Sequence, residues 1–179
     1  MVVWSQRFNL YLVLAAALAL FCGCQTHKKD QPFGALRVHL QTAPDSAGTS
    51  QTITLLRSEP VMVNIAREPF LTEANIAGAK IVDTPGGFAV EIKFDENGTW
   101  VLEQYSGSNL GSHFAIFGQW SEKIVDGRWL AAPLITKRIT DGLLAFTPDA
   151  SRAEMDQMVK GLNYDAANNK KGQFKDDWK

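Results

Sequence analysis

The sequence is poor in cysteine and has none in the region where a folded domain would lie. Of its 179 residues only two are cysteines, Cys22 and Cys24, and both are close to the N-terminus. This distribution excludes an internal disulfide framework and a cysteine-based zinc site in the folded part. A glycine period and sustained heptads are missing as well, which excludes collagen and long coiled coils.

An excess of charge of one sign is also missing. The formal net charge is -1, so the chain lacks the basic surplus that draws proteins to nucleic acid, and we expect no nucleic-acid partner. The composition, 45% hydrophobic and 21% charged, is that of an ordinary globular protein. The length predicts about one domain.

No apolar run is long enough to span a bilayer. Residues 8–21 are apolar except for Asn9 and follow a short segment that contains Arg7. As a helix this run would extend about 21 Å, less than the roughly 30 Å of a hydrocarbon core. The order of a basic start, a short apolar stretch and small residues is typical of a secretory signal.

The end of this signal (20–24, LFCGC) resembles that of bacterial lipoproteins, with Gly23 before the cysteine that receives the lipid, Cys24. Phe21 departs from the usual leucine, and an ordinary secretory peptide with two incidental cysteines is the alternative. The resemblance implies a covalent diacylglycerol on Cys24 and a lipid-anchored protein of the cell envelope that faces the periplasm. Gln25, which is not aspartate, favours the outer membrane over the inner in a diderm cell.

The rest of the chain divides by composition. We predict a signal peptide over 1–23, a polar tether over 24–34, a folded domain over 35–162 and a polar, mobile tail over 163–179.

Hydrophobic periodicity predicts the elements of that domain. Alternation or short apolar runs predict strands at 35–41, 52–57, 61–65, 80–83, 88–94, 113–117, 129–135 and 143–146. Helical spacing predicts helices over 98–106 and 151–162; Ser151 and Glu154 form a capping box, and Thr72 caps a single turn. The order predicts an α+β fold, an antiparallel or mixed sheet with two principal helices packed on one face.

The ordered set of short motifs over 59–163 resembles the head subdomain in the first periplasmic domain of SecD, an accessory subunit of the Sec export machinery. The motifs that carry the resemblance are PV (60–61), EPFLT (68–72), AKIV (79–82), FAVEIKF (88–94), NG (97–98), NLG (109–111), DGR (126–128), APLI (132–135), ITDG (139–142), FT (146–147), AE (153–154) and GL (161–162). The resemblance implies a module outside the membrane that contacts the emerging polypeptide and has no catalytic residues.

Two departures from SecD limit what the resemblance implies. Nothing after residue 21 could span a bilayer, so the proton-coupled motor function of SecD is not carried over. The hairpin at 118–125 (GQWSEKIV) also looks longer than in the family.

No constellation of catalytic or metal-binding residues stands out. His27 lies in the tether, and the alternation places His39 on the polar face of a strand. His113 follows Ser112 directly, and successive strand residues point to opposite faces. The aspartates are scattered in turns, where they usually serve local hydrogen bonds. We therefore predict no enzyme activity, no metal, no cofactor besides the lipid and no small-molecule substrate.

The aromatic residues give the one candidate contact surface. Trp100 and Trp129 are predicted to pack in the core, whereas Trp120 lies in the long hairpin and is predicted to be exposed. Exposed apolar groups can mark interaction sites. The candidate partner contact is therefore the hairpin tip with Trp120, Lys123, Ile124 and Val125.

Two functions remain open. In the first, the domain binds exported or unfolded polypeptide, or an envelope protein complex, and an exposed strand edge could accept an extended chain by main-chain pairing. In the alternative, a structural envelope lipoprotein binds one folded partner without any role in export. The range of partners distinguishes the two.

Overall fold

The computed structural model describes residues 31–176, with side chains through Asn169 except that of Ile124. No helix in this range is long and apolar enough to cross a membrane. The strands are β1 (Ala35–Leu40), β2 (Ser50–Leu55), β3 (Val61–Ala66), β4 (Leu71–Thr72), β5 (Ile76–Thr84), β6 (Gly87–Phe94), β7 (Phe114–Gln119), β8 (Gly127–Ala131) and β9 (Leu143–Phe146). The helices are α1 (Glu96–Ser108) and α2 (Arg152–Asp176), and single 3-10 turns occupy Glu73–Asn75 and Ile124–Asp126.

The strands form three sheets, and every pairing among the described residues is antiparallel. One sheet has the order β4-β1-β7-β8, a second has the order β5-β6-β9, and β2 and β3 form a separate hairpin. The predicted α+β class, with antiparallel strands and two principal helices, is confirmed. The division into three sheets was not anticipated, because alternation identifies a strand but not its neighbour.

The main core lies between the two larger sheets and α2. This helix buries the predicted stripe of Met155, Met158 and Leu162. The predicted capping box is confirmed: the Ser151 N–H donates to Glu154 Oε2 at 2.7 Å, and the Glu154 N–H donates to Ser151 Oγ at 3.3 Å. Ile92 and Phe94 from β6, the most regular strand of the sequence, are buried in the same core.

Helix α2 continues past its predicted end at Leu162 to Asp176. The polar, mobile tail predicted for 163–179 is therefore corrected for residues 163–176, which are helical. The Asn163 side chain bonds both backbone groups of Ala79 in β5, at 2.8 and 2.9 Å, and Ala166 is buried. A polar residue that binds a sheet edge has the same sequence signature as a solvated one, so composition misplaced the boundary.

The last residues of the predicted tether lie directly on α2. A Cβ added at Gly161 would stand 2.0 Å from the Phe33 carbonyl carbon, and one added at Gly34 would stand 2.3 Å from the Met158 oxygen. Two glycines therefore allow backbone to meet backbone, and the chain enters the domain along α2.

His39 is not on a polar face but is buried, because β1 is covered on both sides. Its Nδ1 lies 2.9 Å from the Ala66 oxygen, and its ring packs edge-on against Trp129 at 5.2 Å. Burial lowers the pKa of His39, because desolvation disfavours the charged ring. Trp129 packs with Ile53 and Ala115 beneath the β2–β3 hairpin, as predicted for a core residue. Trp100 does not, since it is 59% exposed on α1.

Candidate functional site

A groove of about 580 Å3 lies under the tip of the β2–β3 hairpin. The hairpin contributes one wall, with Leu55, Leu56, Val61 and Met62. The body contributes the other, with Ala132 and Pro133 after β8 and Phe146 at the end of β9. At this place Leu55 is buried, whereas Leu56, Val61 and Met62 at the hairpin tip stay exposed.

The rim of the groove carries large apolar side chains in contact with solvent. Leu56 is 43% exposed, Val61 is 49% exposed and Met62 is 76% exposed. No Asp, Glu, Lys or Arg is among the described residues that line the groove. Such a concentration of exposed apolar side chains around a concave surface is typical of an interaction site.

The backbone at the rim is strained. Leu56 has a φ of 61°, and it is the one residue other than glycine with a positive φ in the described chain. A left-handed conformation costs a leucine about 1–3 kcal/mol. The backbone of Leu56 is therefore strained, while its apolar side chain is exposed at the groove. Backbone strain of this kind is often found at functional sites.

An ion pair fastens the hairpin tip to the body beside the groove. The Arg57 N–H donates to Asp149 Oδ2 at 2.8 Å, and the Arg57 guanidinium lies 3.1 Å from Asp149 Oδ1. The hydrogen bonds from Arg57 lower the pKa of Asp149. Because the Arg57 side chain is largely exposed, solvent screening limits what this contact contributes to stability. Its effect is to hold the hairpin tip, which forms the roof of the groove at Leu55 to Met62, in place.

Substituting Asp149→Asn should loosen the roof without unfolding the domain. We expect about threefold to tenfold faster hydrogen exchange at the amides of Arg57 and Thr42, since the Thr42 N–H donates to Asn64 O at the other end of the hairpin. Two-dimensional NMR measures both amides. Asp83→Asn, which breaks the exposed ion pair with Arg152 far from the hairpin in sequence, is the control and should leave them unchanged.

Acid should loosen the hairpin of the wild type as well. The folded pKa of Asp149 is below its unfolded value, so the ion pair is fully formed above about pH 4 and is lost as the pH falls through the folded pKa. The protection factors of the two amides, which compare each exchange rate with the intrinsic rate at the same pH, should therefore fall in the wild type and stay constant in the Asn variant. An equal fall in both proteins would show that Asp149 does not hold the hairpin.

The contact residues predicted from the sequence lie outside the groove, and they differ in how exposed their side chains are. Trp120, predicted to be exposed, is partly buried against the main core, and Arg128 sits over its ring at 4.6 Å. Arg128 in turn pairs with Glu154 of α2, which explains why the ring is held inward. Lys123 is exposed and Val125 is 83% exposed.

Two further predicted positions remain outside what the structure describes. These are the side chain of Ile124 and the lipidation site, Cys24. Within residues 31–176, no three His, Cys, Asp or Glu side chains converge as a metal site would require.

Sequence reasoning did not find the groove, although one signal was present. The strands β2 and β3 contain no charged residue, and the apolar residues of β3 do not alternate cleanly: Val61, Met62 and Val63 follow one another. A run of this kind on a short hairpin indicates that both faces of the strand meet apolar groups. Which groups they are depends on the tertiary placement of β8 and β9.

The comparisons with known proteins assign the family. Residues 50–166 match the SecDF P1 head subdomain, and this match covers well over half of the chain. The chain therefore belongs to the SecDF P1 head family, as the resemblance in its sequence implied. The match includes the hairpin, helix α1, helix α2 as far as Ala166 and every residue named on the walls of the groove. No curated protein matches the chain.

One of the solved structures with which the chain aligns shows the same fold. A structure described as the membrane component SecDF that enhances protein export aligns with a TM-score of 0.52 at 20% identity, over 74% of this chain. SecDF in a super-membrane-facing form aligns at 15% identity with a TM-score of 0.45, over 90% of this chain and 33% of its own. The chain spans 63% of the first structure's length.

Proposed function

We propose that this protein is a non-enzymatic, lipid-anchored envelope module that binds exported or unfolded polypeptide, and that the groove under the β2–β3 hairpin is its binding site. The observation that carries the proposal is the exposed apolar rim of Leu56, Val61 and Met62 around an uncharged groove in a SecDF head. A binder of unfolded chains needs apolar contacts that do not select one sequence, and such a groove offers them.

The lipid anchor is the second part of the proposal. A diacylglycerol on Cys24 would hold the domain at the periplasmic face of a membrane, with the outer membrane favoured by Gln25. Residues 24–32, fully extended, reach about 30 Å, and the domain begins at Phe33 with its contact to α2. The groove would then operate close to the periplasmic surface of that membrane, within reach of exported chains in the periplasm.

Substituting Met62→Asp should abolish most of the binding. We expect about tenfold weaker binding of a reduced, carboxymethylated unfolded protein, because a carboxylate at the rim must be desolvated by each apolar side chain that enters. The full lipoprotein in nanodiscs and fluorescence anisotropy of the labelled unfolded protein are suitable. Met62 is 76% exposed, so the substitution should leave the melting temperature unchanged.

The control is Val125→Asp, the same change at an exposed apolar residue of the long hairpin. It should leave binding unchanged. Weaker binding in Val125→Asp alone would move the site to the hairpin tip with Trp120, Lys123 and Ile124, which remains a prediction. No binding by the wild type at tens of micromolar would contradict polypeptide binding and favour the structural lipoprotein with one folded partner.

A further inference from the structure

One edge of the β2–β3 hairpin has no neighbouring strand in the described chain. The register pairs Thr52 with Asn64, and Asn64 O accepts the Thr42 N–H, so the backbone groups of Asn64 point away from β2. In an antiparallel pair, residues opposite one another share this orientation. The N–H and C=O groups of Thr52 and Thr54 therefore point outward, on the side where this two-stranded sheet ends.

This edge lacks the devices that protect the edges formed by β4 and β5. Strand β2 has six residues, no charge and no proline, and it pairs with β3 without a bulge. By contrast, β5 carries a bulge between Ile76 and Gly78 and a lysine at Lys80, and β4 has only two residues. Proteins normally use charge, proline, bulges or short length to keep an edge from pairing with another chain.

Contacts at both ends hold the edge in place. At the start of β2, the Asp45 carboxylate accepts hydrogen bonds from the Ser50 N–H at 3.2 Å and the Ser50 hydroxyl at 3.0 Å. After its end, Arg57 is bound to Asp149. An edge that is already ordered loses little entropy when a second strand adds to it.

We propose that the outer edge of β2 binds an extended, uncharged segment of the incoming polypeptide as an added β-strand. The proposal rests on the proposed function and specifies how the polypeptide is bound. The uncharged edge favours an uncharged segment, and the side chains of β2 alternate between exposed Thr52 and Thr54 and buried Ile53 and Leu55. An added strand alternates in the same way, polar outward and apolar inward. Leu55 also lines the groove, so the edge and the groove are continuous and the same segment can use both.

Proline at Thr52 and Thr54 tests the proposal. Neither N–H is used for pairing with β3, so proline is compatible with this edge, where it removes two outward donors. The probe is a fluorescent peptide of about eight residues that alternates valine and threonine. We expect the Thr52→Pro/Thr54→Pro protein to bind it about tenfold more weakly. Thr52→Val/Thr54→Val keeps both donors and removes the Thr52–Asn64 side-chain bond, and it should bind like the wild type.

A second measurement does not depend on the folding of the variant. The same peptide, N-methylated at every second residue, should bind the wild-type full lipoprotein about tenfold more weakly. If proline and N-methylation leave peptide binding unchanged while Met62→Asp weakens it, the edge proposal is wrong and the groove function stands. If the wild type binds neither peptide nor unfolded protein, both are wrong. Self-association of the wild type that proline abolishes would assign the edge to a second copy and overturn the proposal.

Discussion

Gly161→Ala is expected to lower the free energy of unfolding by about 3 kcal/mol. The new Cβ would stand 2.0 Å from the Phe33 carbonyl carbon and 2.1 Å from the Gly34 nitrogen. Both atoms belong to the backbone, so no side chain can rotate away. Either the segment at 33–34 leaves α2 or the helix shifts and disturbs Met158 and Leu162, which are buried in the core.

Helix propensity alone predicts that Gly161→Ala raises the free energy of unfolding, so the two expectations differ in sign and the measurement separates them. Alanine is favoured over glycine inside a helix by about 1 kcal/mol. Gly107→Ala in α1 is the matched control, because its Cβ would meet only the flexible Arg138 side chain at 3.3 Å, and stability should stay equal or rise. Urea denaturation of both variants measures the difference. A Gly161→Ala protein as stable as the Gly107→Ala protein would show that the N-terminal segment does not dock on α2.

Cys24→Ser is expected to move the protein from the membrane fraction to the soluble periplasmic fraction. The acyl chains of a lipoprotein bury many CH2 groups at about 0.8 kcal/mol each, so two or three chains anchor stably and their loss leaves no comparable membrane contact. Fractionation and labelling with an alkyne analogue of palmitate measure the location and the modification.

Cys22→Ser is the matched control, since this residue would be removed with the signal peptide. It should be labelled and membrane-bound like the wild type. Membrane retention and labelling in Cys24→Ser would contradict the lipoprotein assignment, and equal loss in both variants would show that neither cysteine is specifically modified.

Local patterns predicted the elements of the fold well because neighbouring residues determine them. The alternation over 88–94 is strand β6, and Thr72 caps the 3-10 turn that follows it, as predicted. The ordered motifs over 59–163 identified the family that the residue match at 50–166 confirms.

Features that depend on tertiary contacts were predicted less well. His39 looked polar-facing because the sequence does not reveal that the β2–β3 hairpin covers β1 from the other side. Trp120 looked exposed because the sequence does not reveal that Arg128 of β8 lies over its ring and is itself paired with Glu154 of the distant helix α2. The groove could not be predicted for the same reason, as its walls come from β2, β3, β8 and β9, and only their packing leaves the gap.

The features around the hairpin fit one role. An uncharged edge and a strained, exposed Leu56 would each be costly in a purely structural domain. Together they form an ordered surface whose apolar side chains stay accessible to a binding chain. Under the proposed function, the Arg57–Asp149 pair keeps the roof in place so that the groove remains open to a passing chain.

Site-specific photocrosslinking of the full chain in cells tests the central claim most directly. A photoreactive residue would replace Met62 at the groove or Val125 at the long hairpin, and the target would be an exported reporter polypeptide arrested during export. The groove account predicts a crosslink to the arrested reporter from Met62 and none from Val125, with loss of the product once export is completed. A crosslink from Met62 to one folded envelope protein, with the reporter absent from both positions, would contradict it.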